Sequence, residues 1–286
     1  MILVTGAAGK TGQAVINAVV RRDGVVRALV RREAQVELVK AKGAVEVVVG
    51  DMADTAVYQL ATQNICAIYH ICPNMHPDEV QIGKVAIAAA QQNHVERFVY
   101  HSVMHPQTET MPHHWHKLQV EALLFASGLN YTILQPAAYM QNIMGSWASI
   151  VEEGVYTTPY PVETQISIID LADVVEVAAK VLTEVGHDFA VYELAGPENL
   201  SQIEVAAALQ THLGKRIIAK EIAHEMWRKN AESAGLSTYA IETLLNMFRY
   251  YAENGFVGNS NILIWLLRRK PTTFVEFLQS LTVSGL

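Results

Sequence analysis

Cysteine is scarce: two residues in 286. Cys66 and Cys72 fall in one predicted strand, which separates them by roughly 20 Å, too far for a disulfide. Reduced thiols suit a cytoplasmic protein. Positive charge is also short. Lys and Arg number 21 against 28 Asp and Glu, a net charge of −7. General nucleic-acid binding needs a basic footprint, so no direct nucleic-acid partner is expected. Long apolar runs are missing as well. Nothing approaches the about eighteen residues of a membrane span. The run Ile262 to Leu267 is stopped by Arg268, Arg269 and Lys270. Met1 leads directly into strand-type sequence, so neither a signal peptide nor a membrane partner is expected. No repeat and no low-complexity linker divides the chain, which suggests interwoven halves. Apolar residues make up 51% and charged residues 17%, a balance that suits a well-packed globule.

The first thirteen residues, M-I-L-V-T-G-A-A-G-K-T-G-Q, organise the rest. Met1 to Val4 is an apolar strand-type run. Gly6, Gly9 and Gly12 follow at three-residue spacing, and a helical pattern runs from Gln13, with Ala14, Val15, Ala18 and Val19 on one face. A glycine turn between strand and helix is where a dinucleotide diphosphate binds. Gly6 permits the tight turn, Gly9 lets backbone approach phosphate, and Gly12 lets helix and strand pack closely. The helix start offers N–H groups and a positive dipole end. The candidate phosphate loop is therefore Gly6, Ala7, Ala8, Gly9, Lys10, Thr11 and Gly12. The spacing G-x-x-G-x-x-G resembles the extended and atypical short-chain dehydrogenase/reductases.

Strand and helix patterns then alternate. Strands are expected over 25–30, 45–49, 65–72, 97–103 and 131–134, and helices over 33–42, 55–62, 78–93 and 117–127. Such alternation implies a parallel sheet with helices on both faces. The fold class is α/β: a Rossmann-type doubly wound parallel sheet with a smaller α+β C-terminal substrate lobe. The NAD(P)-binding core is expected over 1–145, with 164–195 partly returning to it, and the lobe mainly over 146–286.

The end of the second strand selects the cofactor. An acid there holds the ribose hydroxyls of NAD, and an Arg accommodates the 2′-phosphate of NADP. Here Val30 is followed by Arg31 and Arg32, with no acid before Glu33. Two guanidiniums suit a phosphate dianion, and Lys10 adds a third positive group. NADP(H) is expected in preference to NAD(H). The competing reading is a solvated loop. Asp51 and Met52 end the third strand near the adenine, where Asp51 either accepts from the exocyclic amine or caps the next helix. Ile71, Cys72 and Pro73 end the fourth strand and run beside the cofactor as backbone.

Ordinary short-chain dehydrogenases use Ser, Tyr and Lys, the last two four apart on one helix face. Ser102 stands where the serine belongs and Lys117 where the lysine belongs, but His113 replaces the tyrosine. The section His113-x-x-x-Lys117, Glu121, the run Ser127 to Pro136, and Tyr139-Met140-Gln141-Asn142 resembles the NmrA-like atypical short-chain dehydrogenase/reductases. The tail from Leu267 to Phe277 is similar to a closing pattern in bacterial members. That family includes NADPH-dependent quinone and dye reductases, and also members that bind NADP without known chemistry and act as sensors. The resemblance implies that Lys117 holds the nicotinamide ribose, and that Pro136, Ala137, Ala138 and Tyr139 border the nicotinamide. Gln135 stands where the family usually carries arginine.

His113 and Lys117 are the catalytic candidates. His113 either donates a proton to a reduced oxygen, orders a substrate, or merely opens a helix after Pro112. A helix start favours neutral imidazole. His101, His105, His113, His114 and His116 crowd together, but no cysteine joins them and sequential histidines on a helix cannot face one ion, so no metal is expected. In the second half, Asp170 or Asp173 is expected to cap or charge the helix from Leu171 to Thr183. Met140, Met144, Trp147, Tyr156, Tyr160, Trp227, Met247, Phe248 and Tyr250 are candidates for an apolar pocket, each singly more often core. Together they favour a small apolar or aromatic substrate. The leading function is an NADPH-dependent oxidoreductase passing hydride to a quinone-like or conjugated acceptor. The alternative is a non-catalytic NADP(H) sensor acting through a protein partner. A homodimer is left open.

Overall fold

Strand β1 (Ile2–Val4) is wholly buried and lies inside a seven-stranded sheet, with two strands beyond it on one side and four on the other. The computed structural model describes residues 1–283. After β1 come α1 (Lys10–Val20), β2 (Val26–Val30), a 3-10 turn (Glu33–Gln35), α2 (Val36–Lys40), β3 (Ala44–Val49), α3 (Thr55–Ala61) and β4 (Ala67–His70). Then follow α4 (Glu79–Gln92), β5 (Arg97–His101), α5 (Pro112–Phe125) and β6 (Tyr131–Pro136). The second half comprises β7 (Ala138–Tyr139), a 3-10 segment (Met140–Ser146), α6 (Trp147–Glu153), β8 (Val155–Thr158), β9 (Ile166–Ile169), α7 (Leu171–Thr183) and β10 (Ala190–Leu194). It ends with β11 (Glu198–Leu200), α8 (Gln202–Leu213), β12 (Ile218–Glu221), α9 (His224–Ser233), α10 (Thr238–Asn254), α11 (Asn261–Leu267) and α12 (Phe274–Val283).

The large sheet has the order β10-β6-β5-β4-β1-β2-β3. β1 pairs in parallel with β2 on one side and β4 on the other. Strand order therefore reverses at β1, and the carboxyl ends there form the crevice where doubly wound sheets bind ligands. The α/β Rossmann architecture is as the sequence pattern implies.

Two compact units divide the chain. One comprises 1–107, 113–135 and 174–192. Its core joins Leu3, Leu29, Tyr58, Ile68, Phe98, Tyr100, Val120 and Ile133. The other comprises 108–112, 136–173 and 193–286. It carries a three-stranded sheet, β11-β9-β7, and a two-stranded one, β12-β8.

Several expectations shift. α1 begins at Lys10, not Gln13, because Gly12 is a helical residue. α5 begins at Pro112, not Lys117; proline suits a first turn, whose N–H has no intrahelical acceptor. The fourth strand is shorter than 65–72, so Cys66 precedes it and Cys72 follows it; both thiols are free. Asp170 does accept from the Ala172 amide, at 2.9 Å. Asp173 is the acid in the first turn of α7, as expected, and is fully buried, accepting from Arg269 Nη2 and the Thr272 amide, each at 2.7 Å. That pairing anchors the tail motif and explains its spacing. The proposed apolar pocket divides between two packed clusters. Met140, Met144, Trp147 and Tyr156 belong to one. Tyr160, Trp227, Met247 and Phe248 belong to the other. Met140 and Phe248 are buried, the other six are partly buried against these clusters, and Tyr250 is half-buried outside both.

Candidate functional site

The turn after β1 is built on two glycines. Gly6 has φ +56°, a left-handed conformation that favours glycine. A Cβ on Gly12 would lie 2.3 Å from the Gly6 carbonyl oxygen and 2.7 Å from Ala7 Cα. Thr5 locks the neighbouring strand end: its hydroxyl donates to the Ile71 carbonyl at 3.1 Å and accepts from the Ile71 amide at 2.9 Å. Gly9 is the N-cap of α1, and no side chain caps that helix and no acid occupies its first turn. The open N–H groups and positive dipole end suit an anion.

Beside this turn lies a cleft of about 260 Å³. Its lining includes Gly6 to Gly9, Arg31, Asp51, Met52 and Pro73, all singled out by sequence. It also includes Val30 and Gly50, at the expected strand ends, and Leu29, Gln35, His76 and Ile82, which sequence reasoning missed. Gln35 and His76 carry no motif; only the fold brings them to the wall. Lys10, Thr11, Gly12, Arg32, Ile71 and Cys72 do not line it. Arg32 is in extended backbone, φ −138° and ψ 144°, where successive side chains alternate sides. Both arginines are exposed, and Arg31 is the one that lines the cleft. Asp51 does not cap α3; Asp54 does, accepting from the Ala56 amide at 2.8 Å. Asp51 Oδ1 accepts from the Ala53 amide at 2.9 Å, and its Oδ2 lies 3.5 Å from Arg31 Nε. An uncapped helix start, a glycine turn and an arginine at the end of β2 fit a phosphorylated dinucleotide.

Behind the carboxyl ends of β4 and β5 lies a buried polar network. Lys117 Nζ donates to Glu79 Oε1 at 2.6 Å and to the His101 carbonyl at 3.2 Å. The Tyr100 hydroxyl donates to the same Glu79 oxygen at 3.0 Å. An ammonium has three donors, and these two contacts use two of them. Ser102 donates its hydroxyl to Glu121, whose carboxylate also accepts from Gln135 Nε2 at 2.9 and 3.0 Å. Burial raises the Glu121 pKa above the ordinary carboxylate value. Sequence reasoning had no signal for Glu79, which joins the lysine across 38 positions. Deeper in, His70 Nδ1 meets the hydroxyls of Tyr58 at 2.8 Å and Thr5 at 3.3 Å.

His113 is buried in α5, and its Nδ1 has no hydrogen-bond partner. Burial, then the neighbouring His114, pushes its pKa well below the usual imidazole value, so it is neutral. The His113 and His114 rings meet edge to face at 4.3 Å. His114 Nδ1 instead contacts the His105 carbonyl at 3.2 Å. No group of metal-ligating side chains is found among the described residues. Burial also pushes the Cys72 thiol up, which keeps it protonated. Pro136 ends β6, Ala137 donates its amide to the Leu194 carbonyl at 2.9 Å, and Ala138 and Tyr139 form β7. No helix is long and apolar enough to cross a membrane among the described residues.

Comparison with known proteins agrees with this geometry. The chain is 27% identical to an NAD(P)H azoreductase of Xenophilus azovorans, over 98% of this chain and 97% of that one. It is 26% identical to quinone oxidoreductase 2 of Escherichia coli K12, over 98% of each. A crystal structure of the NADPH-dependent quinone oxidoreductase from Escherichia coli, complexed with NADPH, superposes with a TM-score of 0.87 at 26% identity, covering 99% of this chain and all 100% of that one. The NmrA-like family model matches residues 1–278, so the chain belongs to the NmrA-like family.

Proposed function

We propose that this protein is an NADPH-dependent reductase of quinone-like or conjugated apolar acceptors. The observation that carries the reading is the pairing of an uncapped α1 start with Arg31 on one cleft wall. The similarity to the azoreductase and to quinone oxidoreductase 2 supports the same class of reaction. The dihydronicotinamide of NADPH supplies the hydride, and quinone reduction asks no protein acid to initiate it. The first-turn N–H groups of α1 hold the diphosphate. Arg31 binds the 2′-phosphate. Lys117, with one donor left over, holds a ribose hydroxyl of the nicotinamide half. His113 serves as a neutral hydrogen-bonding imidazole rather than as an imidazolium acid. Two cysteines and no disulfide pattern support a cytoplasmic location.

Purified protein should oxidise NADPH in the presence of simple benzoquinones or naphthoquinones, followed by loss of NADPH absorbance. Tight NADPH binding with no acceptor-dependent oxidation across such a panel would replace this reading with the non-catalytic sensor.

A further inference from the structure

We infer that Gln35 is a specificity-determining residue for the 2′-phosphate, an inference that rests on the NADPH reading above. Gln35 ends the 3-10 turn after β2 and lines the cleft together with Arg31 and Asp51. Its Oε1 accepts from two backbone amides, Arg31 at 3.1 Å and Arg32 at 3.0 Å. Both partners are N–H donors, so the carboxamide's oxygen must be the atom that faces them. The amide's orientation is thereby fixed. Nε2 makes no hydrogen bond to the described residues and is left as a donor on a side chain that lines the cleft.

The charges nearby make this donor decisive. Arg31 does not face the cleft as an unopposed cation, because Asp51 Oδ2 lies 3.5 Å from its Nε. A phosphate dianion at that wall meets one positive and one negative side chain, whose fields partly cancel. Arg32 is not on the wall at all. A neutral donor that owes nothing to Asp51 therefore adds attraction without a counter-charge. Gln35 also holds the amides of Arg31 and Arg32 in place, which sets the direction from which the Arg31 side chain leaves. NADH, with a ribose hydroxyl in place of the phosphate, has no need of a donor there. An acid at this wall would serve that hydroxyl better.

The near-isosteric change Gln35→Glu separates these effects. Its carboxylate still accepts from both amides, so the turn stays formed, but the remaining donor becomes a negative oxygen. Dissociation constants for NADPH and NADH should be measured by equilibrium titration on the intact protein and on this variant, with Arg31→Asp in parallel. NADPH affinity should fall at least about tenfold in Gln35→Glu, the value of one hydrogen bond to a charged group. NADH affinity should hold or improve. Equal changes for both nucleotides, or no change for either, would overturn the role of Gln35. If Arg31→Asp alone lowers the NADPH preference, only the Gln35 inference fails. If neither variant alters the preference, the 2′-phosphate assignment itself fails.

Discussion

Lys117 Nζ lies 2.6 Å from Glu79 Oε1, and the two side chains are 13% and 2% exposed. Glu79 opens α4 and Lys117 lies on the first half of α5, so the ion pair ties together two helices that flank the sheet. The pairing matters more for what its loss would leave than for what it adds. A buried ion pair repays its desolvation cost only when its geometry is good. Removing one partner strands the other charge.

Glu79→Ala should therefore destabilise the protein by about 3–5 kcal/mol. Glu79→Gln keeps acceptors for Tyr100 and Lys117 and should cost clearly less. Urea unfolding of both variants checks this; equal and small losses would show that Lys117 reaches water on its own.

Arg31→Asp removes a guanidinium and adds a second acid beside Asp51. NADPH affinity should drop by at least about a hundredfold, the loss of a bidentate charged contact plus repulsion. NADH affinity should change by far less. The measurement is titration with each nucleotide, and equal losses would remove the 2′-phosphate from this cleft.

Gly12→Ala puts a Cβ 2.3 Å from a carbonyl oxygen and 2.7 Å from the Ala7 Cα, both backbone atoms that cannot swing aside. Overpacking of this kind costs about 1–3 kcal/mol or more. Thermal unfolding should show the loss of stability, and NADPH titration should show weaker binding because the α1 start is pushed from the turn. A variant with unchanged melting and binding would refute the close-packing role.

Acid should unfold this protein sooner than its carboxylates alone require. Burial lowers the pKa of His70 and His101 from 6.5 to about 3, and that of His114 to about 4. The unfolded chain binds a proton at each near pH 6.5 and the folded chain does not. Their stabilising share is thus complete above pH 6.5 and declines as pH falls from there towards the folded values. Each group contributes a slope of about 1.4 kcal/mol per pH unit in that window. Urea midpoints measured between pH 7 and 4.5 should fall steadily. A flat profile would mean that these imidazoles are charged in the fold.

Glu121→Ala should cost about 2–4 kcal/mol, because it leaves the buried Ser102 hydroxyl and Gln135 amide without an acceptor. Glu121→Gln, which preserves one acceptor, should lie between it and the parent in chemical denaturation. A reversed order would show that the carboxylate is a burden rather than an acceptor.

Much of the fold was legible because two periodicities dominate it. Apolar runs such as Ile2 to Val4 and Phe98 to Tyr100 mark strands, and the glycine turn marks the strand-to-helix crossing. Pattern reasoning failed where a residue's role depends on distant partners. Asp173 is the helix-start acid the pattern implies, but its partner Arg269, 96 positions away, left no local signal. Glu79 lies in an ordinary helical pattern, and only the sheet order brings it to Lys117. Arg31 and Arg32 look equivalent as letters, yet it is Arg31 that lines the cleft. The aromatic residues of the second half were open to two readings, and most of them are partly buried against two apolar clusters that no sequence pattern separates.

Quinones are electrophiles that alkylate sulfur, and an enzyme that meets them repeatedly risks inactivating itself. Here the sulfur adjacent to cleft-lining Pro73 is Cys72, buried and held in its unreactive thiol form. The solvent-exposed Cys66 precedes β4, at the amino edge of the sheet, opposite the crevice. Shielding the sulfur that borders the crevice limits covalent poisoning there, and leaves the exposed thiol of Cys66 as the place where such an acceptor would add.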